Sequence, residues 1–220
     1  MDEALRQAWT EIVTAADYEQ HMAAIGQAQA AAELTAHLLD CASLADASTV
    51  AVIGAGTGQM FEFLDGAVFR RYHLVCTDLN PSFLICLRGR LKRQGLEAEI
   101  LEDDFEQSRL AGGVDFLLAT LVLEHIDWRR GVGIVVALRP AYFAVILQEN
   151  PAGMASAITP GRRLPPSIAR AAETAHPVLV PREELIAMLG ENGYACREIA
   201  ARPVADGKSL TGLLFADSRG

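Results

Sequence analysis

The chain has 220 residues, 51% of them hydrophobic and 21% charged, and its formal net charge at pH 7 is −9. So large an apolar fraction excludes extensive disorder and is typical of one α/β domain with a sizeable core. The negative net charge is unlike the excess of basic residues that is typical of nucleic-acid-binding proteins. No apolar run reaches the roughly 18 residues that a membrane-spanning helix needs. We therefore expect a protein that binds neither nucleic acid nor membrane.

The N-terminal sequence and the cysteines bear on the cellular compartment. The chain begins MDEALRQAW, which is acidic and lacks the apolar segment of a secretory signal. The four cysteines are scattered along the chain, at Cys41, Cys76, Cys86 and Cys196. They form no C-x-x-C pair, and no histidine stands near them at an obvious ligand spacing. We expect buried thiols in a reducing, cytoplasmic environment, and no metal site.

Two helices are predicted before any strand. Between Glu3 and about Ala24 the apolar residues recur at the spacing of one helix face, and an alanine-rich second helix is predicted over residues 27–41. Because neither segment has a strand pattern, we interpret residues 1–43 as a helical prefix. It either packs beside the main domain, residues 44–220, or covers its ligand.

Strands and helices alternate from residue 49 onward. The predicted strands cover residues 49–53, 72–77, 97–101, 114–119, 142–148, 194–201 and 209–216. The predicted helices cover residues 81–94 and 127–138, with another running from the first glycines to about Leu64. The last two strands are joined at Asp206-Gly207, a hairpin-type turn. The pattern predicts a doubly wound, Rossmann-like α/β fold with a seven-stranded, mostly parallel sheet whose last strand is antiparallel.

Residues 149–180 interrupt this alternation. The stretch contains five prolines and the pair Arg162-Arg163, and it predicts a loop-rich, lid-like insertion with a short helix near residues 167–173. The two arginines could hold a substrate carboxylate or phosphate, although a solvated loop is the simpler interpretation. Pro181 then begins a helix that stops at Gly193.

The turn after the first strand reads Gly54-Ala55-Gly56-Thr57-Gly58 and is followed by Gln59. In an open parallel sheet the ligand binds at the carboxyl ends of the strands, and the first βα turn is the usual place. A dinucleotide fingerprint, G-x-G-x-x-G, needs a third glycine where this chain has Gln59. Three glycines at alternate positions indicate a ligand close to the backbone, and Gln59 argues against a nicotinamide dinucleotide.

This G-x-G-x-G turn resembles the first motif of class I S-adenosylmethionine-dependent methyltransferases. Asp78 ends the second strand twenty residues after Gly58, where the family's acidic residue holds both ribose hydroxyls. Asp103, Asp104 and Phe105 follow the third strand, where the family places an acid on the adenine amino group and an apolar residue on the ring. Of the two acids we prefer Asp104, because Phe105 follows it directly.

Further segments extend the resemblance over about residues 44–216: VDFLLATLVLEHI, LRPAYFAVIL and the terminal hairpin. It implies that S-adenosylmethionine is the cofactor. The implied cofactor contacts are Tyr18, Gly54, Ala55, Gly56, Gly58, Asp78, Leu79, Asp103, Asp104, Phe105, Thr120 and Leu121. Tyr18 and His21, near the end of the first helix, either close over the methionine end of the cofactor or only pack.

His125 is the candidate for chemistry, because it lies just past the fourth strand, where a methyl donor would point. An imidazole there could take a proton from a hydroxyl or amine nucleophile, since its pKa is ordinarily near neutral pH. Alternatively, the sequence LEHI only orients the loop or borders the cofactor. Glu124 is the less favoured candidate.

The expected activity is methyl transfer to a small-molecule acceptor, mainly by positioning donor and nucleophile. A homodimer is left open, as are the acceptor and the atom methylated. A non-catalytic module that binds S-adenosylmethionine is the main alternative. A nicotinamide-dependent oxidoreductase is a less favoured one.

Overall fold

The computed structural model describes residues 3–159 and 161–219. Its strands are β1 (Thr49–Ile53), β2 (His73–Asp78), β3 (Glu99–Glu102), β4 (Phe116–Thr120), β5 (Tyr142–Glu149), β6 (Tyr194–Pro203) and β7 (Ser209–Asp217). Its α-helices are α1 (Glu3–Gln7), α2 (Ala15–Ile25), α3 (Gln27–Ala42), α4 (Ala67–Arg70), α5 (Pro81–Arg93), α6 (Trp128–Leu138), α7 (Pro166–Ala171) and α8 (Arg182–Glu191). A π-helical turn, Ala8–Ile12, extends α1, and short 3-10 helices lie at Gln59–Phe63, Phe105–Gln107, Leu123–His125 and Ala205–Gly207.

The strands form one sheet in the order β3-β2-β1-β4-β5-β7-β6. Strands β1 to β5 pair in parallel, whereas β7 runs antiparallel to both β5 and β6. Because the strand order reverses at β1, a crevice opens between the carboxyl ends of β1 and β4. The predicted fold is confirmed: it is a doubly wound, Rossmann-like sheet of seven strands, mostly parallel, with an antiparallel last strand.

Helices cover both faces of the sheet, which is why its central strands are apolar on both sides. Val52 of β1 packs in a cluster with Leu38 of α3 and Leu87 of α5, whereas the next residue, Ile53, packs in a second cluster with residues of α6 and α8. Helix α3 lies so close to β7 that a Cβ at Gly212 would be 3.0 Å from Leu38 Cδ1. Residues 27–42 of the predicted prefix therefore belong to a core layer of the fold.

The predicted helix from Glu3 to about Ala24 is broken at Val13 and Thr14, so the prediction of one continuous helix was wrong. Val13 has an extended backbone, and Thr14 caps α2 by accepting a hydrogen bond from the Asp17 amide at 3.3 Å. The capping signal Thr-x-x-Asp was present in the sequence, but the apolar periodicity on either side of it concealed the break.

The helix predicted after the glycine turn is only the 3-10 helix Gln59–Phe63, and α4 was not predicted. Asp65 accepts a hydrogen bond from the Ala67 amide at 2.9 Å and so starts α4 soon after this turn, which leaves room for a short element alone. The other boundaries agree within two residues. None of the described helices is long and apolar enough to cross a membrane.

Candidate functional site

A cavity of about 230 Å³ opens at the carboxyl ends of β1, β2 and β4. Trp9 and Val13 of the N-terminal segment cover it from one side, and Ile168 and Ala171 of the insertion cover it from another. The predicted site residues that line it are Tyr18, Gly54, Gly56, Asp78, Leu79, Asp103, Asp104, Phe105, Thr120, Leu121 and His125. Ala55 lines a smaller adjoining cavity, and Gly58 lines neither of the two.

The three glycines of the turn have different surroundings. All have positive φ angles, +59° at Gly54, +58° at Gly56 and +76° at Gly58, so each adopts a conformation that side chains disfavour. A Cβ at Gly54 would collide with the Val122 side chain, and one at Gly58 with that of Leu87. A Cβ at Gly56 would be 3.1 Å from the hydroxyl of Tyr18, a side chain that lines the cavity. Packing against Val122 and Leu87 therefore explains Gly54 and Gly58, two of the three glycines that we had attributed to a nearby ligand.

Asp78, at the end of β2, faces the cavity beside this turn. Its Oδ2 accepts a hydrogen bond from the Gly56 amide at 2.8 Å, and its Oδ1 accepts one from the Asn80 amide at 2.8 Å. Burial raises the pKa of the Asp78 carboxyl to about 6, against the opposing effect of these backbone donors. Each carboxylate oxygen retains a lone pair for a further donor.

Asp103 and Asp104 differ in what they bind. Asp103 accepts hydrogen bonds from the Ser108 hydroxyl at 2.7 Å and from the Arg109 amide at 2.8 Å, so it orders its own loop. Asp104 forms an ion pair with Arg6 of α1 and caps the 3-10 helix Phe105–Gln107. Both acids line the cavity and both have partners within the protein, so the preference for Asp104 stays a prediction.

Arg90 of α5 supports the glycine turn, a role that the sequence did not suggest. Its guanidinium donates hydrogen bonds to the Thr57 carbonyl, to Glu62 Oε1 at 2.7 Å and to Glu19 Oε1 at 3.0 Å. Although Arg90 belongs to the basic run Arg88-Gly89-Arg90-Leu91-Lys92-Arg93, it is only 6% exposed. Its position three residues after Leu87, on the buried face of the helix, was the available signal.

The segment after β4 carries two ionisable groups side by side. His125 contacts the edge of the Trp9 ring, with ring centroids 4.7 Å apart, and burial lowers its pKa to about 4. The adjacent Glu124 is 3% exposed, and burial raises its pKa to about 7. Glu124 Oε1 accepts a hydrogen bond from the Gln148 amide at 2.8 Å. Among the described residues, Glu124 Oε2 and His125 Nδ1 are buried without a hydrogen-bond partner.

The two covering segments are bonded to each other. The Ser167 amide donates to Asp17 Oδ2 at 2.6 Å, and the Thr14 amide donates to the Ser167 hydroxyl at 3.1 Å. The Asn80 side chain, which follows β2, donates to the Trp9 carbonyl at 2.7 Å. The N-terminal segment and the insertion therefore form one continuous cover that is anchored to the sheet.

Two basic side chains line the part of the cavity beside the start of β7, which β4 and β5 separate from β1 and the glycine turn. Lys208 is 7% exposed, and its Nζ donates a hydrogen bond to the Ala157 carbonyl at 2.6 Å. Arg162 forms a bidentate ion pair with Asp206, at 2.6 and 2.9 Å, and both side chains are partly exposed. Arg163 is exposed and does not line the cavity.

We expected no histidine near a cysteine at ligand spacing, and this expectation is wrong at one surface site, formed by His37, Cys41 and Glu198. His37 Nε2 lies 3.1 Å from Glu198 Oε1 and 3.7 Å from Cys41 Sγ, so three ligand types meet where no histidine was expected near a cysteine. The spacing His-x-x-x-Cys on one helix was the overlooked signal. Cys41 is exposed and Cys86 and Cys196 are half-buried, so only Cys76 is the buried thiol that was expected.

The sheet order, the glycine turn and an acid at the end of β2 are typical of the Rossmann-like methyltransferase fold. Comparison with known proteins agrees. Residues 50–138 match a family described as a methyltransferase domain. No curated protein matches the chain in sequence.

Solved structures of methyltransferases share the fold. Magnesium protoporphyrin IX methyltransferase from Synechocystis, with bound SAH, aligns with a TM-score of 0.66 at 11% identity over 86% of this chain and 83% of its own. An N-methyltransferase from Bradyrhizobium japonicum in complex with S-adenosyl-L-homocysteine aligns with a TM-score of 0.57 at 17% identity, over 83% of this chain and 85% of its own. These findings support the resemblance to class I S-adenosylmethionine-dependent methyltransferases that the sequence predicted, and the solved structures share its fold.

Proposed function

We propose that the chain transfers a methyl group from S-adenosylmethionine to a small-molecule acceptor. The observation that carries this proposal is the shape of the site: the cavity beside the glycine turn continues past Thr120 to Glu124 and Gln148 under a continuous cover. A covered cavity suits a small molecule, whereas a macromolecular acceptor requires an open groove.

The cofactor fits the polar groups on the sheet side of the cavity. We infer that Asp78 accepts hydrogen bonds from the two ribose hydroxyls and Asp104 one from the adenine amino group, with Phe105 against the ring. Gly56 and Tyr18 border the methionine end. Among the described residues, Thr120 Oγ1 and Gln59 Oε1 are buried without partners and line the two adjoining cavities, so they offer further hydrogen bonds to a polar ligand.

The protein's own contribution is positioning and the exclusion of water. When bound, S-adenosylmethionine supplies a methyl group already activated by its sulfonium, so the acceptor needs alignment more than strong activation. Trp9 and Ile168 close the cavity from above and remove water that would compete for the site. Glu124 and His125 stand where a hydroxyl or amine acceptor would lose its proton.

The direct test is formation of S-adenosylhomocysteine from S-adenosylmethionine in the presence of pooled small hydroxy, amino and thiol compounds. Acceptor-dependent product in the wild type, and none in Gly56→Val, is the expected result. Tight S-adenosylhomocysteine binding combined with no turnover across all pools would favour the non-catalytic binding module. The absence of any binding would exclude both.

A further inference from the structure

The chain has only two lysines among its 19 lysine and arginine residues, and they occupy opposite environments. Lys92 is exposed on α5, whereas Lys208, at the start of β7, is 7% exposed and lines the cavity. Burying an ammonium group is costly unless charged or polar partners replace its water. The charged and polar groups around Lys208 therefore bear on the role of its buried ammonium group.

Within residues 3–159 and 161–219, Lys208 has fewer hydrogen-bond acceptors than its ammonium has N–H donors. Its Nζ carries three N–H donors, and its one hydrogen bond to the described residues goes to the Ala157 carbonyl, at 2.6 Å. That carbonyl also accepts a hydrogen bond from Gln148 Nε2 at 2.9 Å, so it is shared. Burial lowers the pKa of Lys208, and the charge of Arg162 lowers it further against the opposing charge of Asp206.

The acidic group nearest to Lys208 is already engaged. Asp206 accepts two hydrogen bonds from Arg162, at 2.6 and 2.9 Å, and one from the Thr159 hydroxyl at 2.6 Å. His21 of α2 faces the same end of the cavity, and its pKa is lowered by burial and then by the charges of Arg162 and Lys208. Lys208, Arg162 and His21 are thus accompanied by one carboxylate, Asp206, which is already paired with Arg162.

The charges of the cavity are therefore separated along its length. Asp78, Asp103 and Asp104 follow β2 and β3, where the cofactor is proposed to bind, whereas Lys208 and the Arg162–Asp206 pair lie beside the start of β7, which three strands separate from β2. Such a basic end is unexpected in a chain with a formal net charge of −9, and it is the kind of environment that selects an anion.

We propose that the methyl acceptor is an anionic small molecule whose charged group, most simply a carboxylate, binds Lys208 and the free edge of Arg162 at the end of the cavity away from the glycine turn. This proposal rests on the proposed function. The anion accepts the two unused donors of the ammonium in charge-assisted hydrogen bonds, and its body lies against the apolar cover. The reacting atom is thereby directed toward Glu124 and His125.

The test uses the full chain, labelled with ¹³C at the lysine Cε positions and saturated with S-adenosylhomocysteine. Because there are two lysines, the spectrum holds one signal from Lys208 and one from Lys92, which serves as an internal control. Benzoate and phenyl phosphate are the anionic probes, and benzamide is the neutral isostere of benzoate. The expected result is a saturable shift of the Lys208 signal with benzoate, little shift with benzamide and no change at Lys92.

Substitutions at the two lysines distinguish binding of an anionic acceptor by Lys208 from binding of the cofactor by the same residue. Lys208→Met should weaken benzoate binding by about tenfold, the effect of losing one charge-assisted contact, while Lys208→Arg retains most of it and Lys92→Met all of it. Affinity for S-adenosylhomocysteine should be unchanged in all three. A tighter response to phenyl phosphate would identify a phosphate rather than a carboxylate as the anion.

Two outcomes would overturn the anionic acceptor. One is equal or absent response of the wild-type Lys208 signal to benzoate, phenyl phosphate and benzamide. The other is weaker S-adenosylhomocysteine binding in Lys208→Met with benzoate binding intact, which would assign the lysine to the carboxylate of the cofactor. If the wild type failed to bind S-adenosylhomocysteine at all, the proposed function itself would fail, and the titration separates that case from the other two.

Discussion

Asp78 holds the glycine turn and offers its remaining lone pairs to a ligand at the same time. Its two oxygens each accept one backbone N–H group, from Gly56 and Asn80, and the buried carboxyl has a pKa raised to about 6. The same residue therefore links the end of β2, the glycine turn and the proposed ribose site. Its ionisation should be visible in cofactor binding.

Replacing Asp78 should weaken S-adenosylhomocysteine binding. We expect a loss of roughly 1–3 kcal/mol in Asp78→Ala, the range for hydrogen bonds to a charged group, and a smaller loss in Asp78→Asn, whose amide keeps one acceptor. Because the acceptor role needs the ionised carboxylate, wild-type affinity should also fall as the pH drops below about 6, while Asp78→Asn should lack this dependence. Calorimetry from pH 5 to pH 8 measures both; equal affinities in the three proteins would remove Asp78 from the binding site.

Glu124 should make stability depend on pH. Burial raises its folded-state pKa to about 7 from an ordinary value of 4.5, so between these values the folded state binds more protons than the unfolded state. Stability contributed by this group is therefore lost as the pH rises through that window. Relative to Glu124→Gln, the free energy of unfolding of the wild type should fall by about 2 kcal/mol between pH 5 and pH 8.

Chemical denaturation at several pH values measures this difference directly. The comparison with Glu124→Gln removes the parallel contribution of Asp78, which both proteins share. A difference that is constant with pH would show that Glu124 is ionised throughout and is satisfied by its surroundings.

His125 should affect turnover more than cofactor binding. A pKa lowered to about 4 leaves its imidazole neutral at neutral pH, with the buried Nδ1 free of partners among the described residues. Once an acceptor is known, His125→Ala should lower kcat by about 10²-fold or more with S-adenosylhomocysteine affinity unchanged, if the imidazole takes the acceptor's proton. Loss of cofactor affinity with kcat retained would give His125 a structural role at the contact with Trp9.

The N-terminal segment and the insertion act together at the scale of secondary-structure elements. Their hydrogen bonds meet at Ser167, and Arg90 ties Glu19 of α2 to the glycine turn through the Thr57 carbonyl. Ligand contacts at the turn are thereby connected to the cover. This arrangement provides a physical route by which cofactor binding orders the cover.

Hydrogen exchange should detect that ordering. We expect residues 3–30 and 150–180 to gain protection when S-adenosylhomocysteine binds, together with the glycine turn, because bound ligand would join the cover to the sheet. The core strand β5, protected in both states, is the reference. Protection confined to the glycine turn would mean that the cover is independent of the cofactor and that the acceptor enters elsewhere.

At the scale of the whole molecule, the cofactor should stabilise the fold selectively. A ligand at a hundredfold excess over its Kd adds about 2.7 kcal/mol, which for a domain of this size corresponds to a rise in Tm of roughly 5–10 °C. S-adenosylhomocysteine should produce this rise and NADH should not. Gly56→Val should melt cooperatively yet show no response, because its side chain would occupy space beside Tyr18. Stabilisation by NADH alone would reopen the oxidoreductase alternative.

The sequence by itself determined the fold, the resemblance to methyltransferases and most of the residues that line the sheet side of the cavity. Those signals are local: β-branched runs make strands, Asn80 and Pro81 start α5, and the glycine turn and Asp78 stand at the ends of adjacent strands. Parallel strands bring their carboxyl ends to one edge, so these residues meet whatever the rest of the chain does.

Only the tertiary structure decided the other half of the site. Three of its contacts join residues that are 24 to 71 positions apart in the chain: Glu124 with Gln148, Arg90 with Glu19, and Arg162 with Asp206. The break at Thr14, which turns the N-terminal segment back to meet Ser167, was hidden by periodicity on both sides. The burial of a side chain and the pKa of its ionisable group depend on every element that packs around it. The sequence pattern of a single segment does not contain that information.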